Sequence, residues 1–448
     1  MSSLQQSATR AAAAIRACSP GAILWIGFTA FVIYAFPGYM SNDSVLQILE
    51  GRSHQFSNLH PPLMAAEWGL LDAIVAGPVL MLVVQGGLFL HGCAALFRRV
   101  MAPRSAAIAA VAVLLFPPVL TTMAVIWKDS QMAAFLIAGT PLLLADRRRI
   151  QLLGLGLITA ACAFRHNGFA AAVPLVVALF EWRPGLRWFR RYAISLAAAI
   201  AVIAISLGVG RALVVVREPL TPAFIDIAGV LAYTDDRSDA ELRELMRGAP
   251  LHVARDIQVT ARIWYSSRNA FWVTHGDDRL FDPPRNEAEL AALNRAWREL
   301  IASDWRAYAS YRLDVFAELI GLTPNDPWAP VFNGFLEIAE QMDYMEHTAT
   351  WSRAQAVLAE IYGWFALSTP MFRPYVYIAI ALIVLAVFCR DRVSFALIGS
   401  GLSYELSFLP TAGTPDFRYS QWMITCTCIA VIWLIRLRMI RRAAEPAR

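Results

Sequence analysis

Four short polar stretches in this chain put carboxylates and cations where apolar runs end. The first reads Ser41-Asn42-Asp43-Ser44, followed by Leu59-His60-Pro61-Pro62 and Glu67-Trp68; the others are Trp127-Lys128-Asp129, Arg165-His166-Asn167-Gly168 and Asp416-Phe417-Arg418-Tyr419. A carboxylate just beyond an apolar run is partly desolvated and can act as base toward a hydroxyl, which makes Asp43 the first catalytic candidate. Lys128 offers a point charge to a phosphate, and Asp129 either positions it or shares the acid–base work. Arg165 can hold a phosphate by two parallel N–H bonds, with His166 donating to the same oxyanion and Arg418 adding a further cation. His60, Glu67, Asn167, Asp416 and Tyr419 stand in the same loops as candidate substrate contacts. Each stretch also has a plainer reading. Asp43 can cap a helix starting near Val45, Lys128 can pair with Asp129, Arg165 can snorkel to lipid headgroups, and Asp416 can pair with Arg418.

The elements that must hold these residues are read from composition. Of 448 residues 58% are hydrophobic and only 16% are charged, against about 25% charged in an average soluble domain. That excludes an ordinary soluble enzyme. Apolar segments run near residues 20–36, 78–97, 105–123, 130–145, 150–164, 168–182, 190–212, 372–389, 393–409 and 421–438, which predicts about ten transmembrane helices. Arginine clusters such as Arg147-Arg148-Arg149 fall on alternate loops, so both termini are expected in the cytoplasm and the four polar stretches on the opposite face. Clusters placed in this way serve topology, and nucleic acid is not expected as a partner.

Between residues 213 and 370 acidic residues outnumber basic ones, while the rest of the chain is basic. Three parts follow: a membrane module over 1–212, an extracytoplasmic, mainly helical domain over 213–370, and a second membrane module over 371–448. Ser238 with Glu241, and Asn286 ahead of 287–302, predict capped helices in the insert. Trp264, Trp272, Trp297, Trp305 and Trp328 are expected as its core rather than as sugar platforms. The six cysteines lie in or beside apolar runs and imply packing, with no disulfide framework or zinc site. The expected fold class is thus an all-α integral membrane protein acting as a monomer.

Taken with their order and sidedness, Pro37-Gly38, Ser41-Asn42-Asp43-Ser44, His60-Pro61-Pro62, Trp127-Lys128-Asp129, Arg165-His166-Asn167-Gly168 and Asp416-Phe417-Arg418-Tyr419 resemble the GT-C superfamily of multispanning glycosyltransferases, and most closely a little-characterised bacterial branch of it. The resemblance covers roughly the first 180 residues and the final loop. It implies transfer of a sugar from a polyprenyl-phosphate donor to an envelope glycan, lipid or protein on the outer side of the bacterial inner membrane. It also implies an inverting reaction, with Asp43 as base and Asp129 as the second acidic position. The chain lacks the Asp-x-Asp pair of the oligosaccharyltransferase-like members, so no cofactor is expected to be required; a magnesium or manganese ion shared by Asp43 and Asp129 is the alternative. A transporter or flippase of a lipid-linked sugar, an enzyme like an O-antigen ligase or polymerase, and a scaffold displaying the insert are the competing readings.

Overall fold

The computed structural model describes residues 18–218, 222–253, 255–268, 273–332, 352–388 and 391–444. Regular structure there is helical, and β-pairing is confined to isolated bridges. In chain order the helices are α1 (Pro20–Ala35), α2 (Asn42–Ser53), α3 (Leu63–Asp72), α4 (Val79–Phe97), α5 (Pro103–Leu114), α6 (Pro117–Met123), α7 (Lys128–Leu143), α8 (Arg148–Phe164), α9 (Gly168–Leu179) and α10 (Trp188–Leu213). The polar insert supplies α11 (Ala223–Tyr233), α12 (Asp239–Leu245), α13 (Ile257–Trp264), α14 (Glu287–Ser303) and α15 (Trp305–Leu319). The chain then forms α16 (Arg353–Ser368), α17 (Pro374–Phe388), α18 (Arg392–Ser407) and α19 (Gln421–Ala444).

Every apolar segment singled out above is helical, but their lengths differ. Three helices, Val79–Phe97, Trp188–Leu213 and Phe417–Ala443, are long and apolar enough to cross a membrane, which marks the chain as a membrane protein. The segment expected as one span near 105–123 is two helices, α5 and α6, bent by 71° where they meet. Pro117 and Pro118 follow Phe116 there, and a proline ring cannot continue the preceding turn. Pro20–Ala35, Gly168–Leu179 and Pro374–Val387 are shorter apolar helices.

Glycine sets how closely the bundle packs. A Cβ on Gly92 of α4 would lie 2.6 Å from the Ile137 carbonyl of α7, and one on Gly139 of α7 would lie 2.9 Å from the Gly154 carbonyl of α8. The three helices therefore touch backbone to backbone, as small residues permit in lipid-embedded bundles. This contact places the start of α7, with Lys128 and Asp129, beside the end of α8, with Arg165.

In the insert, Ser238 accepts from the Glu241 amide and Asn286 from the Glu289 amide, which are the expected caps. Its centre is polar: Asp226 of α11 is buried, accepts from Trp297 Nε1 at 3.0 Å and Tyr311 at 3.2 Å, and pairs with Arg312. The tryptophans expected as core divide. Trp264, Trp305 and Trp328 are exposed, Trp297 is half-buried against the core while its indole reaches Asp226, and Trp272 lies outside the described residues. Apolar burial falls instead to Ile227, Leu231, Leu242, Ile257 and Leu293. Cys93, Cys162 and Cys426 are buried and unbridged, Cys18 and Cys428 are half-buried, and Cys389 lies outside the described residues.

Candidate active site

The site begins with two pieces of chain that pair through their backbones. Gly38 has a φ of +118° beneath Ile126, a conformation open to glycine. It lets Tyr39 run parallel to Val125, with Tyr39 N donating to the Ala124 carbonyl at 3.0 Å and Ile126 N to the Tyr39 carbonyl at 2.9 Å. Ser44 Oγ adds a bond to the Ile126 carbonyl at 2.8 Å, and Trp127 Nε1 donates to Ser41 Oγ at 2.6 Å. Asp43 and Lys128 are thus held in register by four hydrogen bonds across otherwise distant loops.

The helix-cap reading of Asp43 is set aside by this geometry. Helix α2 starts at Asn42, its N-cap is Ser41, and the Ser41 amide donates to Ser44 Oγ. Asp43 stands in the first turn with 26% of its side chain exposed, and its oxygens face two cations, Arg418 Nη1 at 2.9 Å and Lys128 Nζ at 3.8 Å, with His60 Nε2 at 3.7 Å. Burial alone would push this carboxyl up, but the charges of Arg418 and then Lys128 outweigh it and hold the group well below the usual carboxylate range. His60 goes the other way. Burial first, and then the charge of Lys128, push the imidazole down to about 3. Since an ammonium only donates, the 2.7 Å contact between Lys128 Nζ and His60 Nδ1 makes His60 the acceptor.

Asp129 has a different surrounding. Its side chain is 2% exposed; Oδ2 takes Arg165 Nη1 at 2.6 Å and Oδ1 takes the Tyr404 hydroxyl at 3.2 Å. Lys128 turns to Asp43 and His60, so the neighbouring Lys128 and Asp129 side chains serve separate partners. Arg165 is buried rather than snorkelling outward. It donates to Asn167 Oδ1 at 3.0 Å, and Asn167 donates to Ser407 at 2.9 Å. Its guanidinium lies 4.7 Å from the Tyr419 ring centre, and Tyr419 stacks on Phe408 at 4.6 Å. Arg418 lies over Trp127 at 4.8 Å and pairs through Nε with Asp416 at 2.9 Å. The final loop is itself clamped by the insert: Phe417 N donates to the Trp328 carbonyl at 3.1 Å, and Arg312 Nη1 to the Ala412 carbonyl at 2.8 Å.

These groups line a cavity of about 700 Å³, in whose wall Asp43 is the one carboxylate among the described residues, beside Lys128, Arg165, His166, Arg418 and Tyr419. A second cavity of about 640 Å³ shares His60, Pro61, His166 and Phe169 with the first. It continues along Ile203, Leu207 and Gly210 of α10 and past Cys162 and Ala163 of α8. The two adjoin at these shared residues, the first charged and the second mostly apolar, with Arg211 and Arg217 also in the wall of the second.

Most of the predicted residues converge here: Asp43, His60, Lys128, Arg165, His166, Asn167, Arg418 and Tyr419 line the cavity, with Asp129 and Asp416 directly behind it. Glu67 does not join them. It lies on α3 away from both cavities, its Oε2 is unpartnered, and burial pushes its carboxyl up to about 7. Tyr404, Phe408, Arg211 and Arg217 were not singled out from sequence, and Trp127 entered only within the Trp127-Lys128-Asp129 stretch. Tyr404 and Phe408 stand four apart, a helical spacing that put them on one face of α18 and was the available signal. A divalent ion between Asp43 and Asp129 does not fit this donor set, because both Asp129 oxygens are taken and Asp43 is ringed by positive charge. Comparison with protein-family models, with curated proteins and with solved structures gives no match for this chain, so its chemistry rests on this geometry.

Proposed function

We propose that the chain is a GT-C-like membrane glycosyltransferase of the bacterial inner membrane, which moves a sugar from a polyprenyl-phosphate donor to an acceptor on the outer side. The observation that carries the reading is the pair of adjoining cavities: a cluster of cations beside an apolar groove along a long apolar helix suits an amphiphile with an anionic head and a hydrocarbon tail. In this reading all ten apolar helices cross the bilayer, the short ones aided by their flanks, and the four loops and the insert share the outer face. The acceptor is a hydroxyl-bearing envelope glycan, lipid or protein.

Asp43 takes the proton of the acceptor hydroxyl as its oxygen attacks the anomeric carbon from the face opposite the phosphate. The bond from that carbon to the phosphate oxygen breaks with its electron pair left on the phosphate, and Arg165, Lys128 and Arg418 stabilise the charge that grows there. A carboxylate pinned by two cationic partners is a weak base. Phosphate entering among the same cations weakens their hold on Asp43 and raises its basicity when a donor is bound. Asp129 keeps Arg165 in place and moves no proton, and the step needs no metal.

The test is donor consumption and sugar transfer by purified protein in lipid, over a panel of polyprenyl-phosphate sugars, with Asp43→Asn as the variant. Wild-type turnover that falls by roughly 10²–10⁴ in a folded variant is the expected result. Movement of labelled donor across the bilayer without transfer would replace this reading with a flippase, the second function that the apolar groove would suit.

A further inference from the structure

Helix α16, Arg353–Ser368, joins the polar insert to α17 and has no part in the cavity. Both of its ends are held at the end of the bundle that carries the site. At its start Gln355 Nε2 donates to the Tyr34 carbonyl at 3.1 Å and the Phe36 carbonyl at 2.6 Å, where α1 runs out toward Gly38 and Tyr39. Tyr362 meets the Tyr34 ring at 5.1 Å. Just past its end, Phe372 packs on Phe417 at 5.2 Å, next to Arg418. A helix of this length spans about 24 Å, and one that crossed the bundle would have its ends at opposite faces. This one lies across the site end instead.

Its two sides differ. Gln355, Ala359 and Ala366 are buried against the protein. Val357, Ile361 and Trp364, at the i, i+4, i+7 spacing of one helical row, are 47%, 43% and 59% exposed. The charged Arg353 and Glu360, seven residues apart, fall between that row and Leu367, which is also exposed. The helices that hold its ends continue the apolar surface: Trp25, Ile26 and Ile33 on α1, and Leu382, Ile383 and Val387 on α17, are exposed.

We infer that α16 is an interfacial helix that lies in the plane of the membrane at the level of the lipid headgroups, with Val357, Ile361 and Trp364 dipping into the adjoining hydrocarbon. The occupant of the exposed row is phospholipid. An in-plane helix with an exposed tryptophan, and with long charged side chains that reach past neighbouring apolar ones to water, matches the headgroup boundary, where aromatic rings are enriched. The inference rests on how α16 is held and not on the proposed reaction. Its consequence is positional: α16 ties α1, the insert and α17 to one depth.

The experiment uses the full chain in phosphatidylcholine vesicles doped with photoactivatable phospholipids, one carrying its diazirine beside the glycerol and one at the acyl terminus, with labelled residues located by peptide mass spectrometry. The shallow probe is expected to label Val357, Ile361 and Trp364, and the deep probe to label Leu382 and Ile383 but not the α16 row. A row labelled by neither probe would overturn the inference, since water, residues 333–351 or a second copy of the chain would then cover it. Deep-probe labelling of the row equal to that of Leu382 would overturn it too, by making α16 a span. In Trp364→Glu, shallow labelling of Val357 and Ile361 should fall several-fold while Leu382 labelling, which reports the intact bundle, is unchanged; unchanged labelling of both would sink the idea.

Discussion

Arg418 reaches Asp43 across nearly the whole chain, Nη1 to Oδ2 at 2.9 Å. One guanidinium thereby closes the first loop onto the last and keeps the proposed base charged. Its removal should move the acidic limb of a transfer pH–rate profile. Asp43 in the wild type lies well below the ordinary carboxylate range, so its acidic limb falls below about pH 4, the ordinary value. Arg418→Gln removes the largest favourable charge, so the limb should shift upward as kcat/KM drops by about 10²–10³. An acidic limb that stays in place while activity falls would separate Arg418 from Asp43.

Asp129 should behave as a structural residue. Asp129→Asn leaves the buried Arg165 charge without its partner, a change that typically costs about 3–5 kcal/mol. Thermal unfolding in detergent should show the loss, and Asp129→Asn combined with Arg165→Met should recover part of it. If Asp129→Asn keeps its stability yet loses all turnover, the residue acts in the chemistry instead.

Glu67 predicts a stability that depends on pH. Its folded pKa of about 7 lies above the ordinary 4.5, so between those values the folded state binds more protons than the unfolded one. Stability then falls as pH rises through that window and is level above it. Glu67→Gln removes the penalty and should gain on the order of 1–3 kcal/mol at pH 8 over wild type, with little gain at pH 4. Melting curves of the two proteins at both values check it.

The apolar groove can be filled without crowding the fold. A Cβ on Gly210 meets no atom within 4 Å, while Gly210 lines the groove. Gly210→Phe should raise KM for a long-chain polyprenyl-phosphate sugar by about tenfold, a cost of about 1.4 kcal/mol, and leave kcat and the use of a short-chain donor unchanged. Equal effects on both donors would put the tail elsewhere.

Chelation separates two chemistries. With both Asp129 oxygens engaged and Asp43 among cations, turnover should survive dialysis against EDTA and show no stimulation by magnesium or manganese. Loss on chelation and rescue by either ion would require a metal site formed with the substrate.

Hydrophobic runs were enough to find the helices, because lipid demands long apolar segments and hydropathy is local. Their lengths were less legible: Pro117 and Pro118 sit inside a run that is apolar throughout, and only the break of 71° shows what they do. At the site, Asp43, Lys128, Arg165 and Arg418 stood out because charge beside an apolar run is costly. Their pairing did not. Lys128 and Asp129 are adjacent, yet one points at His60 and Asp43 and the other at Arg165 and Tyr404, an outcome set by the contacts of α7 with α8 and α18. Trp127 carries no charge and was given no role of its own beside Lys128 and Asp129, although it supports Arg418 on its face and ties Ser41 through its indole.

Three carboxylates, Asp43, Asp129 and Asp416, stand against three cations, Lys128, Arg165 and Arg418, with His60 held neutral. The cluster therefore presents little net charge before a ligand arrives. An anion enters it as a rival to carboxylates already in place, and discrimination comes from how well it replaces them. Such exchange projects almost no field beyond the cavity, so ligand affinity should hardly respond to the ionic strength of the bathing solution, unlike capture by an open basic surface.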